Sequence, residues 1–286
     1  MKQKRLKDTK LVKYLVARND AKYFYSTLLR RMLKSGILTK DMSILVICGT
    51  RKDETVFNEL GFTEVTISNL DSTLPTADVP SPYNWSFQDA ENLQYPNEHF
   101  DFVVVNAGLH HCHSPHRALL EMYRVARHGI LIIEARESTL MKLALRLGFA
   151  EEYEVCTVVM EGFKSGGVRN TLIPNYIYRW TEREVAKTIA SYAPHVKHYI
   201  QFHYDLLFPF SALLNRKSIY LTASLILYPM VRIVSKLFQK QSNLFAFVIR
   251  KPKLPKVLVP WLRLKNESIQ LNMRWVKGRY EIGEKH

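Results

Sequence analysis

The spacing of apolar residues changes along this chain, and the changes mark its elements. Residues 1–40 carry Leu11, Leu15, Phe24, Leu28, Leu29, Met32 and Leu33 among Lys and Arg, which predicts helix with Lys34 in its last turn and Gly36 as its stop. From Ser43 the pattern becomes continuous. Ile44-Leu-Val-Ile47 is a short unbroken apolar run, the mark of a strand buried on both faces. A helical stretch from Lys52 to Leu60 follows, stopped by Gly61. Strands are then predicted at Glu64–Ser68, Trp85–Asp89, Phe100–Asn106 and Gly129–Glu134. The proline-bearing stretch from Ser72 to Trp85 reads as loop. Ser114 followed by Pro115 opens a helix running to Arg127, because the hydroxyl caps free amides and proline at the first helical position loses no hydrogen bond.

Strand, helix, strand, loop, strand, helix, strand implies an α/β, doubly wound parallel sheet. Beyond it, Thr139 to Gly148 reads as helix and Thr181-Glu-Arg-Glu184 as a capping box opening another through Ser191. Val196–Tyr204 and Asn243–Arg250 read as strands. Between them lies an apolar insert, residues 205–242. Its most apolar part, Ser218 to Val231, contains Pro229 and falls short of the ~20 residues a membrane span needs. It is expected to be a helix covering the sheet as a lid; the alternative is a helix resting on a bilayer. Three regions result: a basic helical extension at 1–40, a domain at 41–250 carrying the insert, and a basic tail at 251–286.

Composition narrows the class. The 286 residues are 47% apolar and 23% charged, which excludes a disordered chain. Three scattered cysteines, Cys48, Cys112 and Cys156, make no disulfide framework, and no apolar stretch follows the basic start, so a cytoplasmic protein without a signal peptide is expected. The net charge of +15 is uneven: residues 1–40 carry +10, residues 41–140 carry −8, and the remainder +13. An acidic centre between basic flanks suits a small-molecule site in the core and an anionic surface at the flanks, such as the inner face of a membrane. Nucleic acid would also satisfy the charge, but no compact nucleic-acid-binding motif is present.

In an open parallel sheet, ligands sit beyond the carboxyl ends of the strands. The turn Cys48-Gly49-Thr50 follows the first strand and presents a helix amino terminus. Asn69 and Asp71 end the second strand and are suited to a ribose diol, while Asp89-Ala90 precedes the fourth and can accept from an exocyclic amine. No GxGxxG follows the first strand, which argues against an NAD-type site.

In order and spacing, Ile44–Thr50 (ILVICGT), Val65–Asp71 (VTISNLD), Phe87–Cys112 and Ser114–Arg136 resemble the class I S-adenosylmethionine-dependent methyltransferases, particularly those with a UbiE-like methyltransferase core. The resemblance implies a Rossmann-like, seven-stranded, mostly parallel sheet whose last strand, Asn243–Arg250, is antiparallel. It implies S-adenosyl-L-methionine as cofactor, held by Cys48, Gly49, Thr50, Asn69, Asp71, Asp89 and Ala90, with Asn106 to Leu109 as the floor beneath the reactive methyl group. The sequence departs from the family's first motif at Leu45, Ile47 and Arg51, and Asn69 stands where an acid is usual.

Methyl transfer to oxygen or nitrogen needs the acceptor's proton removed, and His111 or His110, in the loop after the fourth strand, are the candidate catalytic residues. No metal site is expected there, because adjacent side chains do not readily converge on one ion without partners elsewhere. Arg169, Asn175, Tyr176 and Arg179 are candidate substrate contacts near the mouth. The expected acceptor is a small molecule, or a sugar- or lipid-linked one, with peripheral membrane contact as an added partner. The alternatives are a binding or scaffold protein that has lost turnover and a nucleic-acid methyltransferase.

Overall fold

The computed structural model describes residues 10–18, 21–72, 74, 80–208, 210, 218–252, 254 and 257–280. Most of the loop between 72 and 80, and residues 211–217 of the insert, lie outside them. The strands are β1 (Ile44–Val46), β2 (Val65–Asn69), β3 (Asn84–Phe87), β4 (Phe100–Asn106), β5 (Ala126–Ala135), β6 (Tyr199–Asp205) and β7 (Leu244–Arg250). They form one sheet in the order β3-β2-β1-β4-β5-β7-β6. The first five are parallel, and β7 runs antiparallel between β5 and β6. The unbroken apolar runs are central for the expected reason: β1 and the middle of β4, β5 and β7 are buried on both faces. The fold class is therefore a doubly wound, seven-stranded, mostly parallel α/β sheet.

Two apolar clusters pack on its two faces. One gathers Leu119, Met122, Trp180, Val185, Ile189 and Phe247. The other gathers Phe57, Phe102, Leu131 and Val248 with Tyr25, Leu28, Leu29 and Met32 from the N-terminal region. The first forty residues thus form more than an extension. Their pattern resolves into α1 (Lys10–Arg18) and α2 (Ala21–Lys34), and α2 covers the sheet. Gly36, at φ 71°, turns the chain out of α2 as expected.

Other boundaries move for identifiable reasons. β3 stops at Phe87 rather than Asp89, because Asp89 Oδ1 accepts from the Glu91 amide (2.9 Å) and turns the chain. Helix α4 (Pro115–Val125), with α3 (Arg51–Leu60) before it, ends early because Ala126 already pairs with Phe100 at the start of β5. Val196 bridges to Leu258 instead of joining β6. After β5 come α5 (Thr139–Arg146), α6 (Val155–Met160) and α7 (Glu182–Tyr192), the last opened by the predicted Thr181–Glu184 capping box. The insert holds α8 (Ser218–Leu237), which continues through Pro229. It packs at the β6 edge rather than lying over the sheet as a lid: Arg232 reaches Asp205 (2.6 Å), and most of its apolar side chains are exposed. The tail is also structured, as a hairpin of β8 (Leu262–Lys265) and β9 (Ser268–Leu271) followed by α9 (Met273–Lys277).

Candidate active site

The carboxyl ends of β1, β2, β3 and β4 share one rim, and the sequence-predicted residues of the first four loops lie along it. Cys48 takes a left-handed conformation (φ 51°), unfavourable for a residue with a Cβ, and so turns the chain sharply after β1. Gly49 follows where a Cβ would stand 2.5 Å from Ile67 Cγ2 and 3.1 Å from Val46 Cγ1, so only glycine lets the turn lie this close to β2. Thr50 caps α3. Its hydroxyl accepts from the Lys52 amide, and the Asp53 carboxylate accepts from the Thr50 amide at 2.8 Å. Arg51 is turned along its own helix, onto Glu54 (2.8 Å) and over the Trp85 ring (5.4 Å from the centroid).

Two predicted cofactor ligands are engaged within the protein. Asn69 Nδ2 donates to the Gly49 carbonyl (2.8 Å), and its Oδ1 accepts from the Asp71 amide (2.9 Å), so its amide stitches the first two loops together. Asp89 Oδ2 is paired with Arg169 (2.8 Å). Arg169 also reaches Glu91 (3.2 Å), whose carboxylate accepts from the amides of His113 and Ser114. Arg169, expected to face the acceptor, is therefore a clasp across Asp89 and Glu91. Its backbone at φ 49° and that of Asn170 at φ 58° are both left-handed. The Ala90 and Leu109 side chains belong to the core, and Leu109 contributes its amide to Glu134 (2.7 Å) instead of lining the floor with its side chain.

The rim fits a polar ligand at one position in particular. Asn106 Oδ1, at the end of β4, is buried without a hydrogen-bond partner. A buried polar atom of this kind carries a desolvation cost of about 1–3 kcal/mol until something donates to it. With the capped turn at Cys48–Thr50, the Asp71 and Asp89 carboxylates, and this open acceptor on the floor, the residues present suit a nucleoside cofactor with an amine and hydroxyls to donate.

Beyond the floor lies a group of charges that sequence reasoning found only in part. Glu134, the lone acid of β5, directly follows the apolar run Ile130–Ile133 and is fully buried, and its Oε2 meets His110 Nδ1 at 2.8 Å. His110 Nε2 and His111 Nε2 both approach Glu154 Oε2, at 3.4 and 3.3 Å. Burial alone would push the His110 pKa down. The charges of Glu134 and Glu154, and hydrogen bonds to them, outweigh it and raise the value to about 10. Burial likewise opposes ionisation of Glu154, but the hydrogen bond to His110 and the charge on that ring bring its carboxyl down to about 2. His111 moves the other way: burial first, then the charge on His110, lower its pKa and keep the ring neutral.

A partner from elsewhere in the chain joins the two neighbours: ligand-type atoms of His110, His111 and Glu154 lie within 4.8 Å of one another. A divalent cation could use this spacing, but mutual ion pairing with the Glu134 anchor already accounts for it. Cys112 takes no part. It faces Cys48, and that hydrogen bond, followed by burial, pushes its thiol pKa up.

The remaining acceptor candidates divide. Asn175 is buried and donates to Glu154 Oε2 (3.3 Å), leaving its own Oδ1 unpartnered. Arg179 ties the loop to the Ile177 and Glu151 carbonyls. Tyr176 is half exposed, its ring packed edge-on against Tyr153. Glu134 could have been found from sequence, since a charge inside a doubly buried strand requires a partner. Glu154 comes from an irregular segment with no periodic signal.

Comparison with known proteins fits this geometry. A family model described as a methyltransferase domain matches residues 48–133, from the turn after β1 to the end of β5. No curated protein matches the sequence. Among solved structures, the chain is similar to an S-adenosylmethionine-dependent methyltransferase from Mesorhizobium loti, at 12% identity and a TM-score of 0.47, covering 81% of this chain and 98% of that one. It is also similar to the 1,6-didemethyltoxoflavin-N1-methyltransferase of Burkholderia thailandensis, solved with its acceptor and S-adenosylhomocysteine, at 14% identity and a TM-score of 0.46, covering 85% and 88%. The [4+2]-cyclase SpnF is similar at 15% identity and a TM-score of 0.48, covering 79% and 80%. At these values the structural likenesses describe shape alone. What the comparisons establish is that residues 48–133, from the turn after β1 to the end of β5, are similar to a methyltransferase domain.

Proposed function

We propose that this protein transfers a methyl group from S-adenosyl-L-methionine to an oxygen or nitrogen atom of a small-molecule, sugar- or lipid-linked acceptor. The observation that carries the reading is the open acceptor atom Asn106 Oδ1 on a rim it shares with Asp71, Asp89 and the capped turn at Thr50. When bound, the cofactor supplies a methyl group made electrophilic by its sulfonium, so the protein's task is alignment in a water-poor site. Cys48–Thr50 would hold the methionine end, and Asp71 with Asn69 the ribose side, while the Asp89 carboxylate beside Arg169 would accept from the adenine amine. Neutral His111 takes the acceptor's proton, and Glu154, 3.3 Å away, stabilises the imidazolium so formed. His110, bound to glutamate through both ring nitrogens, is a positioning residue. Tyr176 is the exposed contact for the acceptor.

Calorimetric titration with S-adenosylmethionine and S-adenosylhomocysteine tests the reading, and no binding at millimolar concentration overturns it. Asp89→Ala should weaken cofactor binding about tenfold, the loss of one charge-assisted hydrogen bond. The pairing of Asp89 with Arg169 favours a second reading, a methyltransferase-like binding protein without turnover. Accumulation of S-adenosylhomocysteine in the presence of an acceptor would dismiss that alternative.

A further inference from the structure

Helix α8 carries a surface that methyl transfer does not use. It turns Leu221 and Ser235 inward. On its other side Ile226, Leu227, Met230, Ile233, Val234 and Leu237 are each between 41% and 73% exposed. Recurring at intervals of three and four, they form a single stripe, which Phe238 extends (62% exposed). A contiguous apolar stripe facing away from the protein's own core marks a second apolar environment. No helix among the described residues is long and apolar enough to cross a membrane.

Charge identifies the occupant. Residues 206–266, which contain this helix, include eleven Lys and Arg and no Asp or Glu. Beneath α8, toward α2 and β6, lies a cavity of about 500 Å³ whose lining includes Arg31, His203 and Lys236 beside the Arg232–Asp205 ion pair. Asp205 offsets one of these charges through its pair with Arg232, and the rest would face like charge in a second copy of the chain. An anionic bilayer offers acyl chains to the stripe and phosphate groups to the cations in one surface. We infer that α8 is an interfacial helix that rests on anionic phospholipid, its stripe among the acyl chains and the Arg31–Arg232–Lys236 cavity at headgroup level. The 3₁₀ turn after α8 ties it to α5, the helix that follows the carboxyl end of β5: Gln241 Oε1 accepts from the Leu140 amide, and α5 itself exposes Leu143 and Leu147. An acceptor embedded in the bilayer would then approach the mouth without leaving it.

Flotation of the full chain with phosphatidylcholine vesicles, with and without phosphatidylglycerol, tests this. Binding is expected only to vesicles containing phosphatidylglycerol and should fall as salt rises. Met230→Glu with Ile233→Glu should lower the bound fraction about tenfold or more, because charge then replaces apolar surface in the stripe. Lys236→Glu with Lys240→Glu keeps the stripe and should weaken binding to anionic vesicles specifically. Thermal melts confirm that each variant folds, so the result does not depend on cofactor binding. Absence of flotation with anionic vesicles overturns the inference, as does full retention by both variants. A wild-type dimer that Met230→Glu with Ile233→Glu abolishes, without vesicle binding, would assign the stripe to a second copy instead.

Discussion

Glu134→Ala should lower the unfolding free energy by about 3–5 kcal/mol, the cost of removing one member of a buried ion pair and stranding the other. In a domain whose whole stability is of order 5–15 kcal/mol, that is a large share. The variant loses the partner of His110 Nδ1 and the acceptor of the Leu109 amide at once. Because no water reaches this carboxylate, neither donor finds a replacement. The loss should also depend on pH. His110 is raised in the folded state from 6.5 to about 10, so its contribution is complete below 6.5 and disappears as pH rises through 10. Glu154 is lowered from 4.5 to about 2, so its contribution is complete above 4.5 and disappears as pH falls through 2. Urea denaturation should therefore show the widest gap between wild type and Glu134→Ala between about pH 4.5 and 6.5 and a narrowing gap toward pH 10. A gap unchanged at pH 10 would mean that lost packing, not the charge network, causes the destabilisation.

His111→Ala should reduce turnover about a hundredfold, the lower range for removal of a general base, while cofactor affinity stays nearly unchanged. The ring lies beside Glu154, is partly exposed, and has its pKa lowered by burial and by the charge on His110. His110→Ala makes the comparison informative. His110 is 8% exposed and bonded through both nitrogens, so its loss should disturb stability and cofactor binding along with turnover. Should His111→Ala weaken cofactor binding as much as turnover, the ring would be part of the floor rather than a base.

Much of this architecture was legible because the parallel strands are buried on both faces and so write uninterrupted apolar runs into the sequence. Their ends were less legible, since tertiary partners set them. Nothing near Ala126 announces that Phe100 will pair with it, and nothing near Val196 announces Leu258. In the site, the rim positions of Asn69, Asp89 and Asn106 followed from loops after strands, but their hydrogen bonds did not. Arg169 reaches Asp89 from a distant, left-handed turn with no periodic pattern. The same limit hid Glu154, whereas Glu134 could be read directly as a charge following an apolar run.

The placement of β7 between β5 and β6 has a consequence for synthesis. As the chain leaves the ribosome, β5 emerges with one edge unpaired, and β6 cannot close it because β6 is joined to the sheet only through β7. At typical elongation rates roughly ten seconds separate the two strands, a period in which an apolar edge is exposed to association with other nascent chains. Nascent chains arrested short of Leu244 should be preferred clients of holdase chaperones, and release of the remaining segment should free them.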